Sequence, residues 1–143
     1  MSRLSHAGTA GFLLWGLLHV LGGGAILAGL AESPEAGFAF YRSADGPQSP
    51  LAGAILGYLS YLFVTLGLAA AAIAIFANRR NDPMGLAVNS LLVLAVEAGL
   101  IIFVLVPGHL AFTDALPGFI LAAVGITFGG IACRGGHDAT ATR

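Results

Sequence analysis

The chain has 143 residues, of which 57% are hydrophobic and only 9% are charged. Soluble domains normally carry charge on about a quarter of their residues, so this composition argues against a soluble fold. The six basic residues are nearly balanced by seven acidic ones, which leaves no basic surface to attract nucleic acid. The single cysteine, Cys133, cannot form an intrachain disulfide, and it cannot build a metal site by itself.

Four apolar stretches follow one another along the chain, and each is close to the ~20 residues that a helix needs to cross the hydrocarbon core. Backbone polar groups find no water in lipid, so each stretch must form an unbroken helix. The sequence predicts an all-α integral membrane four-helix bundle, a single domain with up-down-up-down connections, whose spans are residues 10–30, 51–77, 84–106 and 115–133. Pro107-Gly108 marks the end of the third helix, and residues 134–143 are expected to form a short cytoplasmic tail.

The starts of the later helices carry capping chemistry. Ser49-Pro50 and Asp82-Pro83 each place a capping side chain before a proline at the first helical position, where its missing N–H costs nothing. Asp114 is expected to cap the fourth helix in the same way. These helix starts agree with the spans that hydropathy indicates.

The orientation follows from the arginines, because cytoplasmic loops are enriched in positive charge. With both termini inside, only Arg42 lies outside, and the cytoplasmic arginines are Arg3, Arg79, Arg80, Arg134 and Arg143. We therefore expect an N-in, C-in protein of the bacterial inner-membrane type. The first apolar run is long for the h-region of a secretory signal, so a retained first helix is the better interpretation.

The first external loop, residues 31–50, is the only long connection between the predicted spans. It contains Phe38, Phe40 and Tyr41 among glycine, serine and proline residues. Such aromatic side chains favour the headgroup zone of a bilayer. We expect a short interfacial helix or a folded-back loop on the outer surface, packed over the mouth of the bundle. The alternative is a mobile loop with incidental aromatics.

Glycines are abundant, and small residues let helix backbones approach closely in lipid, where little hydrophobic force acts between helices. Among the 21 glycines, Gly53 and Gly57 form a GxxxG pair on the second helix, and Gly125 and Gly129 form another on the fourth. Both pairs are expected to pack helices within the bundle. The alternative is that one pair serves a homo-oligomer or binds another membrane subunit.

Two ionisable residues, His19 and Glu97, fall in the middle of the first and third helices. An ionisable side chain near the bilayer centre costs several kcal/mol unless it is neutral, paired or hydrated. At ~1.5 Å per residue the two depths differ by only ~6 Å, so the side chains are close enough to meet. If they meet, they predict a proton or ligand site. The alternatives are a neutral Glu97 bonded to a hydroxyl or carbonyl group, and contact with another subunit.

Further polar residues lie at similar depth. Tyr61 and Thr65 share one face of the second helix through their four-residue spacing. With His19 and Glu97 they predict a polar seam inside the bundle, and we include them in the candidate site. Trp15 lies four residues before His19 on the same helix face, where aromatic packing is most often core.

The sequence requires no cofactor. Only His19 among the histidines lies deep in the membrane, which disfavours a haem held by two histidines of this chain. A haem or a chlorophyll-type pigment held by His19 is an alternative. Neither a phosphate-binding loop, nor a zinc-protease motif, nor a catalytic serine or cysteine motif occurs, so an enzyme is disfavoured.

These features predict a small multi-pass membrane protein that acts as a transport or proton-handling component through His19 and Glu97. The chain is short for a complete pathway, so we expect a homo-oligomer or a host complex within the lipid bilayer. One alternative is a non-catalytic accessory subunit of a larger membrane complex. Another is a membrane enzyme that acts on lipid or quinone.

Overall fold

The described part of the chain is all-helical. The computed structural model describes residues 3–39, 41 and 49–141, with side chains up to residue 135. In chain order the elements are α1 (Arg3–Glu32), α2 (Pro34–Phe38), α3 (Pro50–Phe76), a 3₁₀ helix (Asn78–Arg80), α4 (Pro83–Leu100), a π-helical turn (Ile101–Leu105) and α5 (Phe112–Ala141).

Four helical segments are long and apolar enough to cross a membrane, namely Arg3–Glu32, Pro50–Arg80, Pro83–Leu105 and Phe112–Gly135. The prediction of an all-helical fold with four long apolar helices is therefore confirmed. The first and last helices, α1 and α5, are longer than the predicted spans, at 30 residues each. The helix α5 continues through residue 141, where a tail was expected.

The helix starts follow the capping chemistry at two of the three predicted positions. The Ser49 hydroxyl accepts a hydrogen bond from the Ala52 amide at 3.1 Å, and Pro50 opens α3. The Asp82 carboxylate accepts from the amides of Met84 and Gly85 before α4. The prediction that Asp114 caps the fourth helix is wrong, because α5 begins two residues earlier.

The predicted loop between the first two spans contains the five-residue helix α2. The Ser33 hydroxyl caps it by accepting from the Ala36 amide at 3.1 Å. The helix folds back on α1, where Gly37 approaches the Leu30 side chain so closely that a Cβ at residue 37 would overlap it. Phe40 and residues 42–48, which include Arg42, lie outside the described residues.

The bundle is built around α1, which lies against both α3 and α5, while α4 lies against α5 and α3. Close approach depends on glycine: a Cβ at Gly16 would lie 2.5 Å from the Gly67 carbonyl oxygen, and one at Gly11 would lie 2.5 Å from the Gly125 nitrogen. The two largest side chains of the buried core both come from α1, which is therefore the central helix of the bundle. The buried core consists of Phe12, Trp15, Ala70, Ala74, Val93 and Ala122.

Candidate functional site

A cavity of ≈ 560 Å³ lies between α1, α3, α4 and α5. This volume is within the range of ~300–1,000 Å³ that is usual for small-molecule sites. Most of the wall is apolar, and the titratable residues on it are His19, Tyr41, Glu97 and Asp114. The two ionisable residues expected to meet in the membrane therefore line one cavity.

Glu97 is a buried carboxyl group with one bonded and one unbonded oxygen. Its side chain is 5% exposed, and its Oε1 accepts a hydrogen bond from Trp15 Nε1 at 2.6 Å. Its Oε2 is buried and has no hydrogen-bond partner in the structure. Leaving a buried acceptor unsatisfied costs about 1–3 kcal/mol, more if it is charged. A proton on Oε2 would remove the charge and with it the larger part of this cost.

The backbone of α5 brings Gly118 against the Glu97 carboxyl group. A Cβ at Gly118 would lie 3.0 Å from Glu97 Oε1, which is tighter than nearly all real contacts of a Cβ. A larger residue at this position would therefore require the carboxyl group to shift. Sequence reasoning missed this glycine, because nothing in the local pattern distinguishes it from the other glycines of the chain.

The tautomer of His19 follows from its hydrogen bond. Its Nδ1 lies 3.0 Å from the Trp15 carbonyl oxygen, one turn earlier on α1. A carbonyl oxygen can only accept, so Nδ1 carries the proton and donates. In the neutral imidazole, Nε2 is then the acceptor. His19 therefore offers a lone pair at the wall of the cavity.

Trp15 connects the two ionisable residues. It is fully buried, it stacks on the His19 ring with 3.8 Å between ring centroids, and it donates to Glu97. Among the described residues no direct hydrogen bond joins His19 to Glu97; the indole lies between them. The sequence placed Trp15 on the same face as His19, but its bond to Glu97 could not be read from one helix.

The wall next to Glu97 departs from regular α-helix. The π-helical turn Ile101–Leu105 follows α4 directly and contributes Phe103 and Val104 to the cavity. The chain then turns at Gly108, whose φ of +82° favours glycine. Single π-helical turns occur frequently at functional sites, because they reorient the side chains of one turn.

Tyr41 and Asp114 add polar groups to the wall. Tyr41 comes from the connection between α2 and α3, and burial raises the pKa of its phenol, which stays neutral at physiological pH. Asp114 lies in the first turn of α5 and accepts a hydrogen bond from the Thr113 hydroxyl at 3.3 Å. A carboxylate in the first turn also interacts favourably with the helix dipole.

Two other candidate residues lie away from the cavity. Tyr61 is 59% exposed, and the exposed Thr65 hydroxyl donates to the Tyr61 carbonyl oxygen at 2.9 Å. Neither residue contributes to the wall. The four-residue spacing correctly indicates that Tyr61 and Thr65 share one helix face. It gives no information on whether this face points towards the cavity or away from it.

The two GxxxG pairs differ in their surroundings. Gly125 and Gly129 lie against the backbone of α1, at Gly11 and Gly8 respectively. By contrast, a Cβ at Gly53 would meet no atom within 4 Å, and one at Gly57 would only touch Leu30 at 3.6 Å. Among the described residues, the pair on α3 therefore lies on an open surface.

A metal site is not formed within the part of the chain that the structure describes, where no group of three His, Cys, Asp or Glu residues is close enough to hold an ion. Among the described histidines, His19 is the one on the cavity wall, so its Nε2 is the atom that would bind a pigment or haem there.

Comparison with protein-family models, curated proteins and solved structures gives no match.

Proposed function

We propose that this chain is a multi-pass protein of the bacterial inner membrane that acts as a transport or proton-handling component through its cavity. The exposed surface supports insertion in lipid. Large apolar side chains are open on several helices, among them Leu21 and Leu91 at 71%, Phe103 at 73% and Val106 at 76% exposure. In water such a surface would aggregate, whereas hydrocarbon solvates it without cost.

The order of the helix contacts supports up-down-up-down connections. A Cβ at Gly16 would meet Gly67, and one at Gly23, further along α1, would meet the carbonyl oxygen of Ser60, which is earlier on α3. When successive contacts move towards the C-terminus of one helix and towards the N-terminus of the other, the two helices are antiparallel. The thiol of Cys133 also donates to the Asn81 carbonyl oxygen at 3.4 Å. The end of α5 thus lies beside the turn that carries Arg79 and Arg80, as the N-in, C-in orientation requires.

One observation carries the proton-handling proposal: a buried carboxyl group, Glu97, stands at the wall of an apolar cavity with one oxygen unbonded. Ionisable groups at membrane depth typically mark ion pathways or proton relays. Trp15 fixes one oxygen of Glu97 and leaves the other to bind and release a proton. Nε2 of His19, on the same wall, is the second group that can accept a proton from the cavity.

The experiment is a comparison of Glu97→Gln with the unmodified protein in lipid vesicles that contain a pH-sensitive dye. The glutamine keeps the shape of the side chain and an oxygen that can accept from Trp15, but it cannot carry a proton. We expect proton flux under an imposed pH gradient to fall at least ten-fold in Glu97→Gln. Ser60→Ala is the control, because it changes a buried hydroxyl that is bonded to the Leu56 carbonyl oxygen and is not part of the cavity wall. Equal flux through Glu97→Gln and Ser60→Ala would refute the proposal.

A second candidate function, an accessory subunit of a larger membrane complex, is favoured by the open pair Gly53 and Gly57. These glycines meet almost nothing within the described part of the chain, and GxxxG pairs commonly serve helix association in membranes. Gly57→Leu should then release copurifying subunits or split a homo-oligomer. Gly130→Leu is the matched control, since a Cβ there also meets no atom within 4 Å. Unchanged assembly in Gly57→Leu would exclude this function for the pair.

A further inference from the structure

We propose that the cavity binds a lipid-soluble phenol, that is, an aromatic ring that carries a hydroxyl group and an apolar substituent. The proposal deepens the proposed function by naming the class of molecule that occupies the same site.

Two hydrogen-bonding side chains on the cavity wall, Glu97 and His19, suit a ligand that carries a hydroxyl group. Among the described residues Glu97 Oε2 has no partner, and its exposed surface is below 1 Å², so a ligand reaches it when the carboxyl group turns towards the cavity. Nε2 of His19 is left as an acceptor once Nδ1 has donated to the Trp15 carbonyl oxygen. A hydroxyl group donates and accepts, so it satisfies Glu97 whether or not the carboxyl group carries a proton. A ligand without a donor would leave His19 Nε2 and an ionised Glu97 unbonded.

The rest of the wall matches an aromatic ring with an apolar tail. The rings of His19, Tyr41, Phe63 and Phe103 come from four different elements and line the cavity. His19 and Phe63 already meet edge to face, with 5.8 Å between ring centroids. Aromatic pairs in such offset or edge-to-face arrangements contribute beyond the area they bury. Apart from the two carboxyl groups of Glu97 and Asp114, the remaining wall is made of leucine, isoleucine, valine, alanine and glycine residues, which suit an alkyl substituent.

The size and position of the cavity also favour this class. Its ≈ 560 Å³ exceeds what a water molecule or an inorganic ion would fill. The exposed apolar surface of the helices places the cavity at hydrocarbon depth, where lipid-soluble molecules are concentrated. The phenol hydroxyl is polar enough to select the Glu97 end of the cavity, and the ring and tail are apolar enough to enter from the membrane.

The test measures binding of 4-hexylphenol to the full chain in lipid nanodiscs. Trp15 is the only tryptophan, and it touches both polar groups of the site, so a ligand that binds to either group should change its fluorescence. We expect saturable binding of 4-hexylphenol. Its methyl ether, 4-hexylanisole, lacks the donor and should bind roughly ten-fold more weakly, because the acceptors at the polar end stay unbonded. Decan-1-ol has the hydroxyl group without the ring and should also bind more weakly.

Two variants show where the probe binds. Gly99 and Gly22 both line the cavity, and a Cβ at either would meet no atom within 4 Å, so leucine can enter there without an initial clash. Gly99→Leu and Gly22→Leu should each abolish saturable binding, while Gly130→Leu, an open glycine outside the wall, should bind as the unmodified protein does. Circular dichroism checks that each variant is folded.

Three results would overturn the proposal. Equal binding of the phenol and its methyl ether would remove the role of the hydroxyl group, and equal binding of decan-1-ol would identify a lipid alcohol instead. Binding that survives both leucine substitutions would place the ligand elsewhere. Each of these results leaves the proton flux through Glu97 to be judged by its own experiment, so the two proposals can fail separately.

Discussion

Gly11→Ala is expected to separate two helices that are in backbone contact. A Cβ at residue 11 would lie 2.5 Å from the Gly125 nitrogen and 2.8 Å from its Cα. Ordinary contact begins at 3.4 Å. Backbone atoms cannot rotate aside as a side chain does, so α1 and α5 must move apart by about 0.9 Å. Overpacking of this kind typically costs ~1–3 kcal/mol. We expect a loss of about 2–3 kcal/mol here, because both obstructing atoms belong to the backbone.

The matched control is Gly53→Ala, the same chemical change on α3. A Cβ there meets no atom within 4 Å, and replacing glycine by alanine in a helix is worth up to ~1 kcal/mol in the opposite direction. The assay is unfolding by sodium dodecyl sulfate in mixed micelles, followed by the circular dichroism of the helices. Gly11→Ala should unfold at a lower mole fraction of detergent, and Gly53→Ala at the same or a higher one. Equal destabilisation by both variants would refute the assignment of α1 and α5 as closely packed neighbours.

Three further predictions concern the site and its orientation. Trp15→Phe removes the 2.6 Å bond to Glu97 Oε1 and leaves a buried carboxyl group without a donor. In the same detergent assay, the free energy of unfolding should therefore fall by about 1–3 kcal/mol. No change would show that the bond does not stabilise the fold. Because burial raises the pKa of Tyr41, the phenol ionises more readily in the unfolded chain, and stability should fall as the pH rises above about 10. Tyr41→Phe should lessen this fall in stability. An identical pH profile for the variant and the unmodified protein would contradict this prediction. The orientation can be tested in a Cys133→Ser background with a membrane-impermeant maleimide added to intact spheroplasts. The reagent should label Ser49→Cys but not Arg79→Cys. The reverse labelling pattern would show that the orientation is opposite to the proposed one.

The sequence was sufficient for the helices because the signals that define them are local. Apolar runs of spanning length, and a capping side chain before a proline, lie within a few residues of each other. The starts of α3 and α4 follow these signals. The start of the fourth helix was misplaced by three residues, at 115 in place of 112, because a carboxylate in the first turn and a carboxylate at the cap give nearly the same local pattern.

The candidate site was only partly predictable. The position of a residue along a helix can be counted from the sequence, but the rotation of the helix about its own axis cannot. Counting residues placed His19 and Glu97 at similar depth, and both line one cavity. The same counting grouped Tyr61 and Thr65 with them, yet the rotation of α3 turns these two outwards.

What the sequence determined by itself was the number of apolar helices, their approximate ends and the presence of an ionisable group in the middle of each of two helices. These properties depend on composition and on spacing along a single segment. Only the tertiary structure decided that Trp15 bonds Glu97, that Gly118 approaches the carboxyl group and that the α3 glycines stay open. Each of these depends on which faces of separate helices meet. Packing between backbones fixes that choice, and in this chain it is fixed where Gly11 meets Gly125 and Gly16 meets Gly67.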